Sequence, residues 1–492
     1  MKKLLKLAIV AILLNLVHPY PAVSAVKTGA ACSKVGSIAI QAGKKFTCVK
    51  SGKKLIWNKG VSLPKPVPTP TPSTSSAPAN TEQATVAPTP TPSPTPTQKQ
   101  ETKPASQQYA NPTEPSSSIE ACKIKEDNNN RRNSAFQLPT GFPGTTSLAT
   151  KTGTVKWALI PIDFPDMRGS ANFRSRVDEQ MKLVSEWFET VSEGKFKVEW
   201  VVANNWVTVP NPTSQYSIKQ SMNLGDAPNG EKLFKDAMAA ADPVFDFTNV
   251  QTVNFILPEG QKFVEESSQG FPWDKAVSEL KLNEGKISSF AMPGTFFDQL
   301  NRQYWSYWVH EFGHAMGIPH IGSSRIANAY MNLDIMGNQD GFAKELSGWH
   351  RFVAGWLAEE KVYCQEFSKL GNPEVTLVPL SDTKNGIKMT VIQISNNRAL
   401  VIESRRETKF ACTMPSKKNG VLVYIYDATK SHGENYFIPV TPEGRRDEGS
   451  QNCPVTQYPD PLLYSNESIV VEGVKIQVLE SKEYDRIRIS KA

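Results

Sequence analysis

Apolar residues recur along this chain in two rhythms, and the rhythm changes past its middle. From Phe173 to Val191 they fall at helical spacing through Val177, Met181, Val184 and Phe188, with Gly194 as a stop. Thr154–Ile162, Phe196–Val202 and Thr252–Leu257 have the length and apolar content of strands. A further helix is predicted from near Asp298 or Asn301 into the stretch 310–320. Another is predicted over Leu346–Leu357, with Trp349, Phe352, Val353 and Trp356 at core spacing. After Cys364 the pattern turns to short β-type runs: Val375–Val378, Ile387–Ile394, Ala399–Ile402, Val421–Tyr426, Val474–Leu479 and Arg486–Ile489. Turn signals such as Asn385-Gly386 and Asn419-Gly420 separate them. The expectation is an α+β region over 119–362 followed by an all-β C-terminal region over 363–492, arranged as a sandwich.

Composition changes the picture at the N-terminus. Lys2, Lys3 and Lys6 precede an apolar run from Leu7 to Val17, and Val23-Ser24-Ala25 fits a small-residue cleavage site. Residues 1–25 therefore read as a secretory signal peptide, and no later segment offers the ~20 continuous apolar residues of a membrane span. The mature chain is expected to be secreted. Residues 26–61 form a small Lys/Gly-rich module in which Lys44–Trp57 reads as two strands around Ser51-Gly52. Residues 62–118 alternate proline mostly with Thr and Ser at Pro64–Pro72 and again at Pro88–Pro96. Such a stretch has little to bury, favours extended polyproline conformations and acts as a tether.

The net charge of +7 is unevenly placed. The first 25 residues carry three lysines and residues 26–61 carry eight, both without acids, so residues 62–492 hold −4. The basic module suits an anionic partner, a cell-wall polymer or membrane surface, or else is a solvated spacer. No nucleic-acid partner is expected. Six cysteines, Cys32, Cys48, Cys122, Cys364, Cys412 and Cys453, read as disulfides in an exported chain. Cys32 and Cys48 form the local pair that so small a module needs, and the other four allow three pairings.

Residues 310–320 read His-Glu-Phe-Gly-His-Ala-Met-Gly-Ile-Pro-His, or HExxHxxGxxH. Three of the five histidines beyond the leader lie here, which sets the stretch apart from scattered core histidines. His310 and His314 are four apart and project from one helix face, so their rings can converge on one ion. Gly317 can take positive φ and turn the chain sharply, returning His320 as a third ligand. Three nitrogens leave a fourth zinc position for water, the mark of a catalytic site. Glu311 is placed to act on that water as general base.

Leu333-Asp334-Ile335-Met336-Gly337 follows, and the extended motif with a downstream Met-turn resembles the metzincin zinc peptidases. Ser185-Glu186-Trp187-Phe188 with Gly194-Lys195-Phe196, Ser347-Gly348-Trp349-His350-Arg351, and Val401-Ile402-Glu403-Ser404-Arg405 with Gly420–Tyr424 are similar to immune-inhibitor-A-like secreted peptidases. The resemblance implies a metzincin-like catalytic domain, with a twisted sheet on helices and a zinc-site helix. Met336 then lies as an apolar floor beneath the histidines, with Met331 as the alternative. Such enzymes commonly carry an acidic residue where His320 stands. Astacins and serralysins carry a tyrosine two residues after the Met-turn methionine. Asn338 stands there in this chain, so the sequence names no oxyanion-stabilising residue.

The expected function is a secreted zinc endopeptidase acting on extracellular proteins or peptides. A zinc hydrolase of peptidoglycan cross-bridges and a non-catalytic surface-binding protein are the rivals. His350 is expected packed or at the surface; His432, in Ser431-His432-Gly433, lies in a loop where it could touch substrate, with a surface position as the default. Cys122 is either a latency thiol for the metal or a disulfide partner, the second being expected. Asn338, Asp340 and nearby carboxylates are candidates for structural Ca2+.

Overall fold

The computed structural model describes residues 27–32, 35, 38–41, 44–62, 109–127, 138–144, 149–219, 222–223, 228–265, 267–298, 304–321, 333–337, 339, 344–410, 419–445 and 460–492. The leader, the proline-rich repeats, Met331, Asn338, Asp340, Cys412 and Cys453 lie outside them. The chain divides into two compact units, residues 1–100 and 101–492.

In the first unit, β1 (Ile38–Gln41), β2 (Lys44–Ser51) and β3 (Lys54–Trp57) run antiparallel, and β4 (Val61–Ser62) pairs with β2. The β2–β3 turn contains Gly52 at φ +61°, a conformation that favours glycine. Cys32 and Cys48 are bridged. Among the described side chains Phe46 and Cys48 are buried, and a bridge at Cys48 suits a module too small for a large core.

The second unit begins with α1 (Ile119–Cys122) and β5 (Gly153–Asp163). It continues through α2 (Arg174–Val191), β6 (Phe196–Val202), β7 (Val207–Thr208), β8 (Met222–Asn223), α3 (Pro228–Ala241), β9 (Val250–Ile256), β10 (Ser268–Gly270), α4 (Lys275–Ser278), β11 (Ser289–Met292) and α5 (Trp305–Ala315). These strands make a seven-stranded sheet in the order β6-β5-β9-β11-β10-β8, with β7 also on β5. It is parallel except where β10 pairs with β11.

Alternation along β5 explains the layers. Trp157 and Leu159 join the core under α2 and α5, whereas Ala158, Ile160 and Ile162 join the core under α3. Burial of both faces makes β5 read as an almost continuous apolar run. Helix α3 went unpredicted from the hydrophobic pattern; its inner face is Leu233, Phe234, Ala237, Met238 and Ala241. Helix α2 ends as Gly194 predicts, but two residues share the left-handed turn, Glu193 at φ +55° and Gly194 at φ +77°. The strained Glu193 is held by ion pairs to Lys361 and to Lys388.

The predicted helix over 346–357 is shorter, α6 (Gly348–Val353). The Ser347 side chain caps it by accepting from the His350 N–H at 3.3 Å. Beyond it come β12 (Val362–Glu366), β13 (Glu374–Leu377), β14 (Met389–Ser395), β15 (Arg398–Arg406), β16 (Asn419–Asp427), β17 (Phe437–Pro439), β18 (Leu462–Leu463), β19 (Ser468–Val471), β20 (Val474–Ser481) and β21 (Asp485–Lys491). They form one sheet, β12-β14-β15-β16-β17 with β18 on β16, and a second, β13-β21-β20-β19. Period-two alternation again sorts the side chains. Leu400, Ile402, Val421 and Val423 pack on Val474, Ile476, Val478, Ile487 and Ile489 of the second sheet. Val401, Leu422, Tyr424 and Tyr426 face α6 and the loops carrying Ile321 and Leu333. The molecule is thus mixed α/β with several sheets. Among the described residues no helix is long and apolar enough to cross a membrane.

Residues 109–118, at the end of the stretch whose composition suggests a tether, lie along this β region. The Ser117 N–H donates to Cys364 O at 2.8 Å, and the Glu374 N–H donates to Thr113 Oγ1 at 2.8 Å. Of the three pairings open for the remaining cysteines, Cys122–Cys364 is present, across a sequence separation of 242. It fastens the strap before the seven-stranded sheet to the β region after it. Replacing both by serine should lower the unfolding free energy by ~2–4 kcal/mol. Guanidinium titration of the two proteins checks this, and coincident curves would show the strap is held by its hydrogen bonds alone.

Candidate metal centre

Every residue of α5 is buried, which follows from its sequence: Trp305, Tyr307, Trp308, Val309 and Phe312 leave no polar face except the motif itself. His310 and His314 lie one turn apart with ring centroids 4.8 Å apart. The helix ends in a Schellman motif. The Ile318 N–H donates to Gly313 O at 2.9 Å and the Gly317 N–H to His314 O at 2.8 Å, with Gly317 at φ +91°. The turn predicted from Gly317 is therefore present, and it brings His320 back. The His320 ring lies 5.2 Å from His310 and 5.8 Å from His314.

Each of the three rings is oriented in the same way. Nδ1 of His310 donates to Ile335 O at 2.7 Å, Nδ1 of His314 to Ile318 O at 2.9 Å, and Nδ1 of His320 to Ile321 O at 2.7 Å. A carbonyl can only accept, so Nδ1 carries the proton and Nε2 the lone pair in all three. A hydrogen bond from the far ring nitrogen to a carbonyl is what fixes the orientation and tautomer of a metal-ligating histidine. Burial pushes His310 down to about 3, and the His320 ring adds to the shift. Burial, then the neighbouring histidines, holds His314 well below the ordinary value, and burial lowers His320 as well. All three are neutral at neutral pH, the state a metal requires.

Among the described residues no group of three or more His, Cys, Asp or Glu side chains is closed into a ready-made metal cluster. The ring spacing nonetheless suits an ion. Tetrahedral zinc with imidazole bonds of about 2.0–2.1 Å sets ring centroids roughly 5 Å apart, and the observed triangle has edges of 4.8, 5.2 and 5.8 Å. Three neutral nitrogens of matched tautomer fit zinc by their chemistry. Glu311, next to His310 on α5, is buried, and burial pushes its carboxyl up to about 8. A divalent cation among the rings acts in the opposite direction and favours the carboxylate.

The turn at 333–337 supplies the floor. Met336 is buried and packs on the helix where glycine leaves room: a Cβ on Gly313 would stand 2.5 Å from Met336 Sδ. Asp334 holds this turn. Its carboxylate accepts from the Met336 N–H at 2.8 Å, the Ser347 N–H at 2.9 Å and His350 Nδ1 at 2.8 Å. His350 is fully buried, and its Nε2 lies 3.2 Å from the Tyr436 hydroxyl, which donates to Pro319 O at 2.8 Å. His350 is therefore a structural link, the packed alternative of the two expected for it.

His432 is where expectation and structure part. Instead of sitting at the surface, it is half-buried with its ring 5.5 Å from His314 and 6.2 Å from His320. Its Nδ1 accepts from the His320 N–H at 3.0 Å, and the Gly433 N–H donates to His320 O at 2.9 Å. Its distance along the chain gives no local signal of this approach; its place in a loop and its being one of two histidines left after the motif are the hints the sequence offers. Cys122, bridged to Cys364, is not a thiol for the metal.

No family model matches the chain, and no curated protein matches its sequence. Among solved structures it is similar to OgpA from Akkermansia muciniphila, at 12% identity over 70% of this chain and 95% of that one, with a TM-score of 0.27. A catalytically inactive OgpA bound to an O-glycopeptide substrate, glycodrosocin, gives 11% identity over 58% and 86%, with a TM-score of 0.24. Metalloproteinase-II from Bacteroides fragilis gives 14% identity over 45% of this chain and 58% of its own length, with a TM-score of 0.25. Likenesses of this size carry no argument about the site, which stands on its own geometry.

The Asp334 linkage has a definite sign. Burial alone would raise its carboxyl, but His350 and the Ser347 N–H outweigh it and hold it at about 2, against an ordinary 3.8. The unfolded chain binds the proton first, so Asp334 contributes ~2 kcal/mol above pH ~4 that is lost as pH falls toward 2. Asp334→Asn should therefore be less stable than wild type at pH 7, with the gap shrinking by about that amount at pH 2. Urea unfolding at both pH values checks it, and a gap independent of pH would refute the linkage.

Proposed function

We propose that this chain is an exported zinc endopeptidase that hydrolyses peptide bonds in extracellular proteins or peptides. One observation supports the reading: three neutral imidazoles, each fixed through Nδ1 to a backbone carbonyl, have ring centroids 4.8, 5.2 and 5.8 Å apart, and Glu311 follows the first of them on the same buried helix. His310, His314 and His320 would hold the metal. Zinc supplies a Lewis acid for the scissile carbonyl and makes water a nucleophile near neutral pH. Glu311 accepts a proton from the attacking water as its oxygen bonds to the carbonyl carbon, then delivers that proton to the amine nitrogen as the peptide C–N bond breaks. Met336 closes the base of the site with apolar surface. The leader-like N-terminus and the two disulfides seen among the described residues support export to an oxidising compartment. The lysine-rich residues 26–61, free of acids, support contact with an anionic surface.

The test is zinc content and casein cleavage by the mature chain and two variants. Glu311→Gln should retain zinc and lose ~10²–10⁴-fold in kcat. His314→Ala should lose zinc as well as activity. Zinc binding with no cleavage of casein, but with release of amines from purified cell walls, would move the substrate to peptidoglycan cross-bridges. Zinc binding with no turnover on either would make the chain a surface-binding protein.

A further inference from the structure

His310 and His314 take their places from α5, a helix whose backbone bonds to itself, but His320 lies beyond the turn that ends the helix and has no such frame. We infer that the turn joining β16 to β17 supplies the frame, with Tyr436 as the positioning residue, so that zinc affinity depends on a β region holding none of the three proposed ligands. The inference rests on the metal site of the proposed function and not on its substrate.

Backbone groups taken out of water need partners. Pro319 has no N–H, so three backbone groups surround the ligand's attachment point: Pro319 O, the His320 N–H and His320 O. One turn meets all three. The Tyr436 hydroxyl donates to Pro319 O at 2.8 Å, the His320 N–H donates to His432 Nδ1 at 3.0 Å, and the Gly433 N–H donates to His320 O at 2.9 Å. Three contacts from residues 432–436 to two adjacent residues fix both the position and the orientation of that backbone. The His320 side chain adds its own bond, from Nδ1 to Ile321 O at 2.7 Å.

The turn can act as a frame because it is itself held. Tyr426 of β16 pairs with Phe437 of β17, and the Asp427 N–H closes the turn on Tyr436 O at 2.8 Å. β16 lies inside the six-stranded sheet, between β15 and β17. Within the turn the Glu434 N–H donates to Ser431 O at 3.0 Å, and the Ser431 N–H donates to the Glu434 carboxylate at 2.7 Å. Tyr436 is fully buried, with its ring 5.2 Å from that of Tyr426, so its hydroxyl has a defined place. A shift of this sheet against α5 would move His320, whereas one helical turn keeps the spacing of His310 and His314. A second route from Tyr436 to the metal also exists. Its hydroxyl lies 3.2 Å from His350 Nε2, and His350 bonds to Asp334 in the turn that carries Ile335 O. A double-mutant cycle separates the two routes.

Zinc affinity is measured by competition with a chelator for the mature full chain, Tyr436→Phe, His320→Ala and the double variant. Phenylalanine keeps the buried ring and loses the hydroxyl. Tyr436→Phe should bind zinc ~10–100-fold more weakly than wild type. In the His320→Ala chain the same change should leave the affinity where His320→Ala has put it, because Tyr436 acts through His320. His432→Ala should behave alike in both backgrounds, and it decides the matter alone if Tyr436→Phe does not fold. His432→Asn, whose side-chain oxygen can stand in for Nδ1, should restore binding. Wild-type affinity in Tyr436→Phe overturns the inference. An equal loss in both backgrounds also overturns it, and assigns the effect to the route through His350 and Asp334. Failure of the peptidase reading has a different signature: a wild type that binds zinc but cleaves neither casein nor cell walls ends that reading and leaves the inference standing. A wild type that binds no zinc ends both.

Discussion

The site depends above all on one buried carboxylate. Asp334 sits in a turn with no strand or helix of its own, so nothing regular dictates where that backbone lies. A charge taken out of water is costly unless its lone pairs are filled. Two backbone N–H groups and the His350 ring fill them here, and in doing so they fix the turn. Ile335 O is then in place to accept a hydrogen bond from His310 Nδ1–H, and Met336 is in place against Gly313. The orientation of the first histidine thus rests on a side chain that never touches the centre.

The same logic extends outward through the β region. Arg405 on β15 donates to Leu333 O at 2.6 Å and pairs with Glu403, whose other oxygen accepts the Gly348 N–H that opens α6. Arg351 of α6 pairs with Glu345 at 2.6 Å, and the carbonyl of Glu345 takes the Ile335 N–H. Breaking a buried pair of this kind leaves an uncompensated charge. The β-rich C-terminal part therefore serves as scaffold for the turn. It also contributes directly, since His432 and Tyr436 reach from it to His320 and to Pro319 O. A catalytic half and a separate β module would have made neither contact.

Much of the fold was legible beforehand because it lies in short-range pattern. Alternation on β15 and β16 and the 3.6-residue spacing of α2 are local properties, and core formation follows them. Helix α3 has a weaker stripe, because two of the five residues on its buried face, Ala237 and Ala241, are alanine. The helix predicted over 346–357 ends earlier, because Trp356 and Leu357 are buried by tertiary packing after α6 has ended.

The sequence by itself determined the chemistry on offer: three histidines, a glutamate and a glycine at fixed spacing, a methionine downstream, and cysteines suited to export. Those follow from the covalent order of residues on one helix and its turn. Tertiary structure decided which nitrogen of each ring faces inward, because that depends on carbonyls at Ile318, Ile321 and Ile335 whose positions are set by the turns around them. It also decided that Cys122 joins Cys364 and that His432, 112 residues beyond His320, becomes its neighbour. No local periodicity encodes such approaches; they arise when two sheets and a helix close over one core and bring distant loops into hydrogen-bond range.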